Sequence, residues 1–374
     1  MNENIRIGLI GASWFADLWF LPVLTRHPHV TVAAICSKNG ESARQMAAKY
    51  GIAAAYTSAE EMMDAERLDG ICIITPNDLH HPIVMEALQR GLHVLCEKPL
   101  AIDSDESGEM LRKAQEKGVV HSVNFSVREH PGIRYLKKAV SDGRIGCFLE
   151  GRFEYSGDYG LSGPPGWRGS VRSGGAGGVL QDLGSHIIDL AQHVLDDRIV
   201  AVSASMSCLE SGRPVRFVER TNPDQAADSV YVQAEFGRGG HGVFQTSWIR
   251  PQGKGGQTIT LELFGTEGAL QLTATGYGYK MMCARKDETW QEVVLPEALP
   301  WDLSAQPSED RFRPYRDSER NEAWKWADAV IAVKSTGSTD RSRLPGFEDA
   351  DRVQRVIDAV VLSDQSGRQE AVTE

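Results

Sequence analysis

The chain has no run approaching the roughly 18 consecutive apolar residues of a membrane helix, so a membrane protein is not expected. Basic residues are in deficit: 40 Lys and Arg against 51 Asp and Glu leave a formal charge of −11. They do not cluster either, so no nucleic-acid partner is expected, since that role needs a basic face to meet phosphates. Cysteine is sparse. The six cysteines (36, 72, 96, 147, 208 and 283) are scattered, with no CxxC pair, and three lie in apolar strand-like runs. That pattern argues against a disulfide framework or a zinc site and points to reduced, buried thiols in a cytoplasmic protein. The opening Met1-Asn2-Glu3-Asn4-Ile5-Arg6 lacks the charged and apolar regions of a signal peptide and leads straight into a strand pattern. What is present is an ordinary globular composition, 41% hydrophobic and 24% charged, in 374 residues, a length that suits two domains.

Short apolar runs alternate with helical patterns through the first ~125 residues. The runs are Ile5–Ile10, Val30–Cys36, Gly70–Thr75, His93–Cys96 and Val119–Val123. Helices are expected at about Ser13–Thr25, Glu41–Tyr50, from the third strand to Arg90, and at Asp103–Lys117. Alternation of this kind predicts βαβ units and a parallel sheet covered on both faces. After about residue 147 the pattern changes. A Gly/Pro-rich stretch, Ser156–Gly178, leads to a helix over about Val179–Leu195. Strand patterns follow at 199–208, 228–236, 241–249, 257–264 and 269–274, separated by turns such as Gly237-Arg238-Gly239-Gly240. Consecutive strands with short turns predict an antiparallel or mixed sheet. Two helices, about 316–335 and 347–364, close the chain.

Five short segments carry chemistry. After the first strand, Gly11-Ala12-Ser13-Trp14-Phe15-Ala16 reads G-x-S-x-x-A, a variant of the G-x-G-x-x-G/A dinucleotide turn. Gly11 permits the tight turn, a small middle residue admits the pyrophosphate, and the final small residue packs helix on strand. Ser13 departs from glycine but is small, and its hydroxyl suits either a phosphate or a helix cap. The second strand ends in Ser37-Lys38, where an NAD-specific fold usually places an acid; a hydroxyl and a cation there lean to NADP. The third strand ends in Thr75-Pro76-Asn77-Asp78-Leu79-His80, at the carboxyl edge where open α/β sheets bind ligands. Glu97-Lys98-Pro99 follows the next strand; Pro99 removes a backbone donor and admits a cis bond, and Lys98 suits an oxygen that develops negative charge. On a helix, Asp182 and His186 stand at i and i+4 and Asp189 at i+7, a carboxylate–imidazole pair fit for general-base work. Each segment read alone also fits a plain structural role. A metal centre is not expected, since no third and fourth ligands accompany this pair.

The order of these pieces, from Gly11-Ala12-Ser13-x-x-Ala16 through Thr75-Pro76-Asn77-x-x-His80, Glu97-Lys98-Pro99 and Gly177-Gly178-Val179-Leu180-x-Asp182-x-Gly184-x-His186-x-x-Asp189 to Gly265-Thr266-Glu267-Gly268, closely resembles the Gfo/Idh/MocA oxidoreductases. The resemblance spans nearly the whole chain. It implies an α/β protein: an N-terminal Rossmann dinucleotide-binding domain (1–125) and a C-terminal α/β domain (126–374) with a large open, mainly antiparallel or mixed sheet that supports substrate binding and homodimers or homotetramers. It implies a nicotinamide lying between the domains, and a catalytic set that falls here on Lys98, Asp182 and His186. The cofactor residues would be Gly11, Ser13, Trp14, Phe15, Ser37, Lys38, Thr75, Pro76, Asn77, His80, Glu97 and Lys98.

The expected chemistry is hydride transfer at a secondary hydroxyl or ketone of a sugar, inositol or related polyol, with NADP or NAD. His186 would be the base, oriented by Asp182, and Lys98 would stabilise the reacting oxygen. Candidate substrate contacts are Arg152, Tyr155, Trp167, Arg168, Arg172 and His186. The arginines would suit an anionic substituent, while Tyr155, Tyr159 and Trp14 would stack on a sugar face. Two alternatives use the same residues: redox-assisted glycoside cleavage with the cofactor recycled in place, and a non-catalytic nucleotide and sugar sensor.

Overall fold

The computed structural model describes residues 4–163, 165–253, 256–275, 278–295, 316, 319–338 and 344–373. The chain forms two compact units that interleave in sequence: Met1–Ser126 with Tyr315–Asp351, and Val127–Pro314 with Arg352–Glu374. A single division at 125/126 therefore leaves out a return of the chain to the first unit.

The first unit is built on strands β1 (Ile5–Ile10), β2 (Val30–Cys36), β3 (Ala54–Tyr56), β4 (Gly70–Ile73), β5 (His93–Cys96) and β6 (His121–Val123). They pair in parallel in the order β3-β2-β1-β4-β5-β6, the doubly wound order whose reversal lies between β1 and β4. Its core strands read as unbroken apolar runs because both faces are covered. Gly8 and Gly70 show this directly. A Cβ on Gly8 would meet Met62 of the helix Ala59–Ala65, and one on Gly70 would meet Trp326 of the helix Glu322–Thr336. Ile7 pairs with Gly70 and Gly8 with Ile71, so the two glycines point to opposite faces. The C-terminal helix expected at about 316–335 thus runs Glu322–Thr336, started by the Asn321 side chain, which accepts from Ala323 N–H at 2.8 Å. Residues 317–318 of that expectation lie outside the described residues.

The second unit carries β7 (Phe148–Ser156), β8 (Ile199–Glu210), β9 (Arg213–Arg216), β10 (Ser229–Phe236), β11 (His241–Ser247), β12 (Thr258–Gly265), β13 (Gly268–Thr275), β14 (Gly278–Arg285), β15 (Gln291–Glu292) and β16 (Glu370–Ala371). The main path runs β15-β14-β13-β12-β7-β11-β10-β8-β16, with β9 on β8. Among the described residues only the β7–β11 pair of this sheet is parallel, which makes the sheet mixed. One face packs helices: Gly132 of the helix Pro131–Ser141 lies against Leu272, and the His186 ring of the helix Ser185–Leu195 lies 5.9 Å from that of Tyr155. Backbone donors of β8 that no neighbouring strand takes are met by side chains. Ala204 N–H donates to Ser363 Oγ and Met206 N–H to Asp364 Oδ1, which keeps this edge from recruiting another strand.

Candidate functional site

In the first unit the backbone reverses at Gly11 (φ +109°), whose N–H donates to Cys36 O at 2.8 Å. A Cβ there would stand 2.1 Å from Ile74 O, so only glycine lets β1 end this close to β4. Ser13 Oγ accepts from Ala16 N–H at 3.2 Å, an N-cap, and Ala16 is fully buried where the helix meets the sheet. The expected helix Ser13–Thr25 begins with Asp17 N–H on Ser13 O, widens into a π turn at Ala16–Phe20 and ends in the α turn Leu21–Leu24. Such wide turns recur at functional sites. Phe15 stacks on Trp19 at 5.8 Å, while Trp14 stands 70% exposed. Ser37 is half-buried at the end of β2, its N–H on Tyr56 O, and Lys38 is exposed.

At the neighbouring strand end, Thr75 and Pro76 are half-buried and Asn77 is buried. Thr75 Oγ1 is buried with no hydrogen-bond partner among the described residues. His80 is fully buried and acts as a brace. Its Nδ1 faces Pro99 O at 2.9 Å and its Nε2 faces Thr75 O at 3.0 Å, tying the β4 end to the Glu97-Lys98-Pro99 turn. Burial holds its pKa below the usual 6.5. Its part at the strand edge is therefore to hold two backbone segments, with no exposed atom to offer a ligand. Glu97, also buried, accepts from Lys98 N–H at 3.2 Å and from the Asn124 amide, and the Lys98–Pro99 bond is cis. Asn124 escaped the sequence reading, because a lone Asn after a short strand gives no local signal. A glycine turn with no room for a side chain, a small capping residue after it and an unpaired buried hydroxyl at the next strand end together form a cradle that fits a dinucleotide pyrophosphate.

In the second unit the chain enters the helical region at Gly178 (φ +54°), where a Cβ would stand 2.3 Å from Ala227 O. Asp182 lies in a π turn, Leu180–Gly184, and His186 in the α-helix that follows, so the pair does not stand on one uniform α-helix as expected. Asp182 Oδ2 accepts from Tyr159 Oη at 2.6 Å, and Oδ1 from Arg168 Nε at 3.3 Å. The His186 ring is buried against Tyr155, whose hydroxyl donates to Gln257 Oε1 at 2.8 Å. Asp189 is held by Arg128 through two hydrogen bonds, with only 2% of its side chain exposed. The structure thus brings Tyr155, Tyr159, Arg168, Asp182 and His186 together in this unit.

Four side chains expected at the substrate have partners within the chain. Arg152 alternates with Phe153 and Tyr155 along β7, so it points to the opposite sheet face and pairs with Glu154 at 2.8 Å. Arg172 has 86% of its side chain exposed and lies beside Asp224. Arg168 stacks on Trp167 at 4.3 Å and spends its Nε on Asp182. Each arginine expected to meet an anionic substrate already has a carboxylate of the chain beside it. Tyr159, expected to stack on a sugar, turns its hydroxyl to Asp182 and its ring to Trp248.

Fold and cradle define a two-unit, dinucleotide-binding α/β protein. Residues 5–125 match the oxidoreductase family with an NAD-binding Rossmann fold, and residues 133–271 match the GFO/IDH/MocA C-terminal domain. A 1,5-anhydro-D-fructose reductase of Ensifer adhaerens is 32% identical over 271 residues, 71% of this chain and 74% of that one. A levoglucosan dehydrogenase of Pseudarthrobacter phenanthrenivorans is 27% identical over 390 residues, 96% of each. A solved levoglucosan dehydrogenase in complex with NADH and levoglucosan shares the fold, with a TM-score of 0.80 over 100% of both chains at 24% identity. The chain belongs to the Gfo/Idh/MocA oxidoreductase family. Among the described residues no helix is long and apolar enough to cross a membrane.

Proposed function

We propose that the protein is an NAD(P)-dependent dehydrogenase or reductase acting on a secondary hydroxyl or ketone of a neutral sugar or polyol, in the cytoplasm. The observation that carries the reading is that one chain holds both a braced Lys98 turn and an Asp182 carboxylate one turn before a buried His186. Relatives named for levoglucosan and for 1,5-anhydro-D-fructose support the substrate class. The internal carboxylate beside Arg152, Arg168 and Arg172 favours a neutral over an anionic substrate.

The nicotinamide supplies the hydride acceptor in oxidation and the donor in reduction. Gly11, Ser13, Thr75, Pro76, Asn77 and Glu97 would hold it, with Trp14 and Phe15 beside the turn. Ser37 and Lys38 favour a 2′-phosphate, hence NADP. His186 takes the hydroxyl proton in oxidation and returns it in reduction. Asp182 orients the imidazole and favours its charged form. The Lys98 ammonium donates to the reacting oxygen as negative charge grows there. Tyr155 and Trp167 line the sugar. The outward face of the larger sheet exposes Tyr231 at 54% and Val243 at 49%, which supports a homodimer or homotetramer closed over it.

Purified protein with NAD or NADP and a panel of sugars, inositols and aryl glycosides tests the reading. Reduced nicotinamide accumulating in the presence of a sugar is the expected result. Aglycone release without net cofactor reduction moves the protein to redox-assisted glycoside cleavage. Tight sugar binding without any turnover makes it a sensor.

A further inference from the structure

Tyr159 lies 23 residues before Asp182 in the chain, yet its hydroxyl donates to Asp182 Oδ2 at 2.6 Å. Several contacts deliver it there. Gly157 N–H donates to Ser247 O and Gly160 N–H to Trp248 O, so the segment is hung on the end of β11. A Cβ on Gly160 would stand 2.4 Å from Trp248 Cδ1, so the backbone lies directly on the indole. The Tyr159 ring packs on Trp248 with centroids 6.0 Å apart. Trp248 is fully buried, and its Nε1 donates to Asp228, a buried carboxylate that also accepts from Leu209 N–H. A chain of fixed contacts thus runs from Asp228 through Trp248 and Tyr159 to Asp182. Arg168 also donates to Asp182, at 3.3 Å and with its side chain 36% exposed, a longer and wetter contact. Burial and the adjacent carboxylate push the Tyr159 phenol far above its ordinary range, so it stays a donor wherever the protein is folded.

We propose that Tyr159 is a positioning residue for the reaction: its phenol fixes the Asp182 carboxylate in place and keeps it ionised for His186. The inference rests on the proposed roles of Asp182 and His186. Among the groups facing Asp182 are Tyr159 and Arg168, with Tyr155 beside the phenol and His186 on the following turn.

Tyr159→Phe removes one hydrogen bond to a charged acceptor and keeps the ring on Trp248. The expected result is a fall in kcat of about tenfold to a hundredfold, with KM for the sugar nearly unchanged. The acid limb of the kcat/KM profile moves to higher pH, because a carboxylate that loses a donor turns more of its charge on the His186 imidazolium and the base holds its proton more readily. Thermal unfolding and nucleotide titration confirm that the variant is folded. Asp182→Asn and the double variant close the cycle: once Asp182→Asn is in place, adding Tyr159→Phe costs nothing more. A wild-type kcat and pH profile in Tyr159→Phe overturns the proposal, as does a full additional loss in the double variant. If Tyr159→Phe fails to fold, Trp248→Phe, which loosens the platform under the phenol, carries the same kcat and pH test. If Asp182→Asn itself retains full activity, the proposed reaction roles fail, a result separate from the behaviour of Tyr159.

Discussion

Gly11→Ala tests whether the cradle is set by sterics at one backbone position. The added methyl would stand 2.1 Å from Ile74 O and 2.6 Å from Ile74 C, against ordinary contacts of 3.4 Å and more. Either Gly11 or the β4 end must therefore move by about 1 Å, well beyond what a packed interior absorbs. Moving Gly11 stretches its N–H bond to Cys36 O, at 2.8 Å; moving residue 74 stretches Ile74 N–H to Ile10 O, at 2.7 Å. The positive φ costs an L-residue about 1–3 kcal/mol, and each disturbed backbone bond adds about 1 kcal/mol. The expected destabilisation is about 2–4 kcal/mol, or about 10 °C in the unfolding midpoint of a unit this size. Because the same turn and Thr75 form the proposed pyrophosphate cradle, nucleotide affinity should fall about tenfold to a hundredfold, the loss of one hydrogen bond to a charged group. Scanning calorimetry and fluorescence titration with NAD and NADP measure the two effects. An alanine variant with unchanged midpoint and unchanged nucleotide affinity would refute the steric reasoning.

Further outcomes follow from single contacts. Arg128→Met leaves Asp189 with its charge buried, so urea unfolding should show a loss of about 3–5 kcal/mol; a loss under about 1 kcal/mol would contradict the pairing. His80 has its pKa depressed by burial, so the unfolded chain takes up a proton below pH 6.5 that the folded protein refuses. Its contribution is complete above pH 6.5 and declines as pH falls below it, and His80→Gln should flatten the fall in midpoint over that window. Lys38→Ala should weaken NADP about tenfold and leave NAD nearly unchanged, the loss of one exposed cation beside a phosphate; equal effects on both nucleotides would remove the NADP preference.

Much of the first unit was legible because its signals are local. Apolar strands, the glycine turn after β1 and the helix caps depend on residues a few positions apart, and a parallel sheet buried on both faces writes itself as apolar runs. The second unit was less legible. β7, the strand at the centre of its sheet, carries Glu150, Arg152 and Glu154 on its outward face and reads as a polar stretch rather than a strand. β14 and the helix Pro131–Ser141 likewise stand outside the strand and helix patterns of the sequence. The π turn at Leu180–Gly184 is invisible to a 3.6-residue period, so the Asp182–His186 spacing was read on the wrong helix geometry.

The sequence by itself determined which residue types stand where the chemistry is proposed: a lysine at a strand end, a carboxylate and an imidazole one turn apart, and a glycine where no other residue fits. These are properties of residue type and short spacing, which the chain carries before it folds. Only the tertiary structure decided what each residue has already spent its charge and hydrogen bonds on. It placed Arg152 on the far face of the sheet, Arg168 and Tyr159 on Asp182, His80 between two carbonyls and Asn124 on Glu97. The Arg168 and Tyr159 contacts to Asp182, the His80–Pro99 contact and the Asn124–Glu97 contact join residues from 14 to 27 positions apart, separations at which no local period operates and only packing brings the groups within reach.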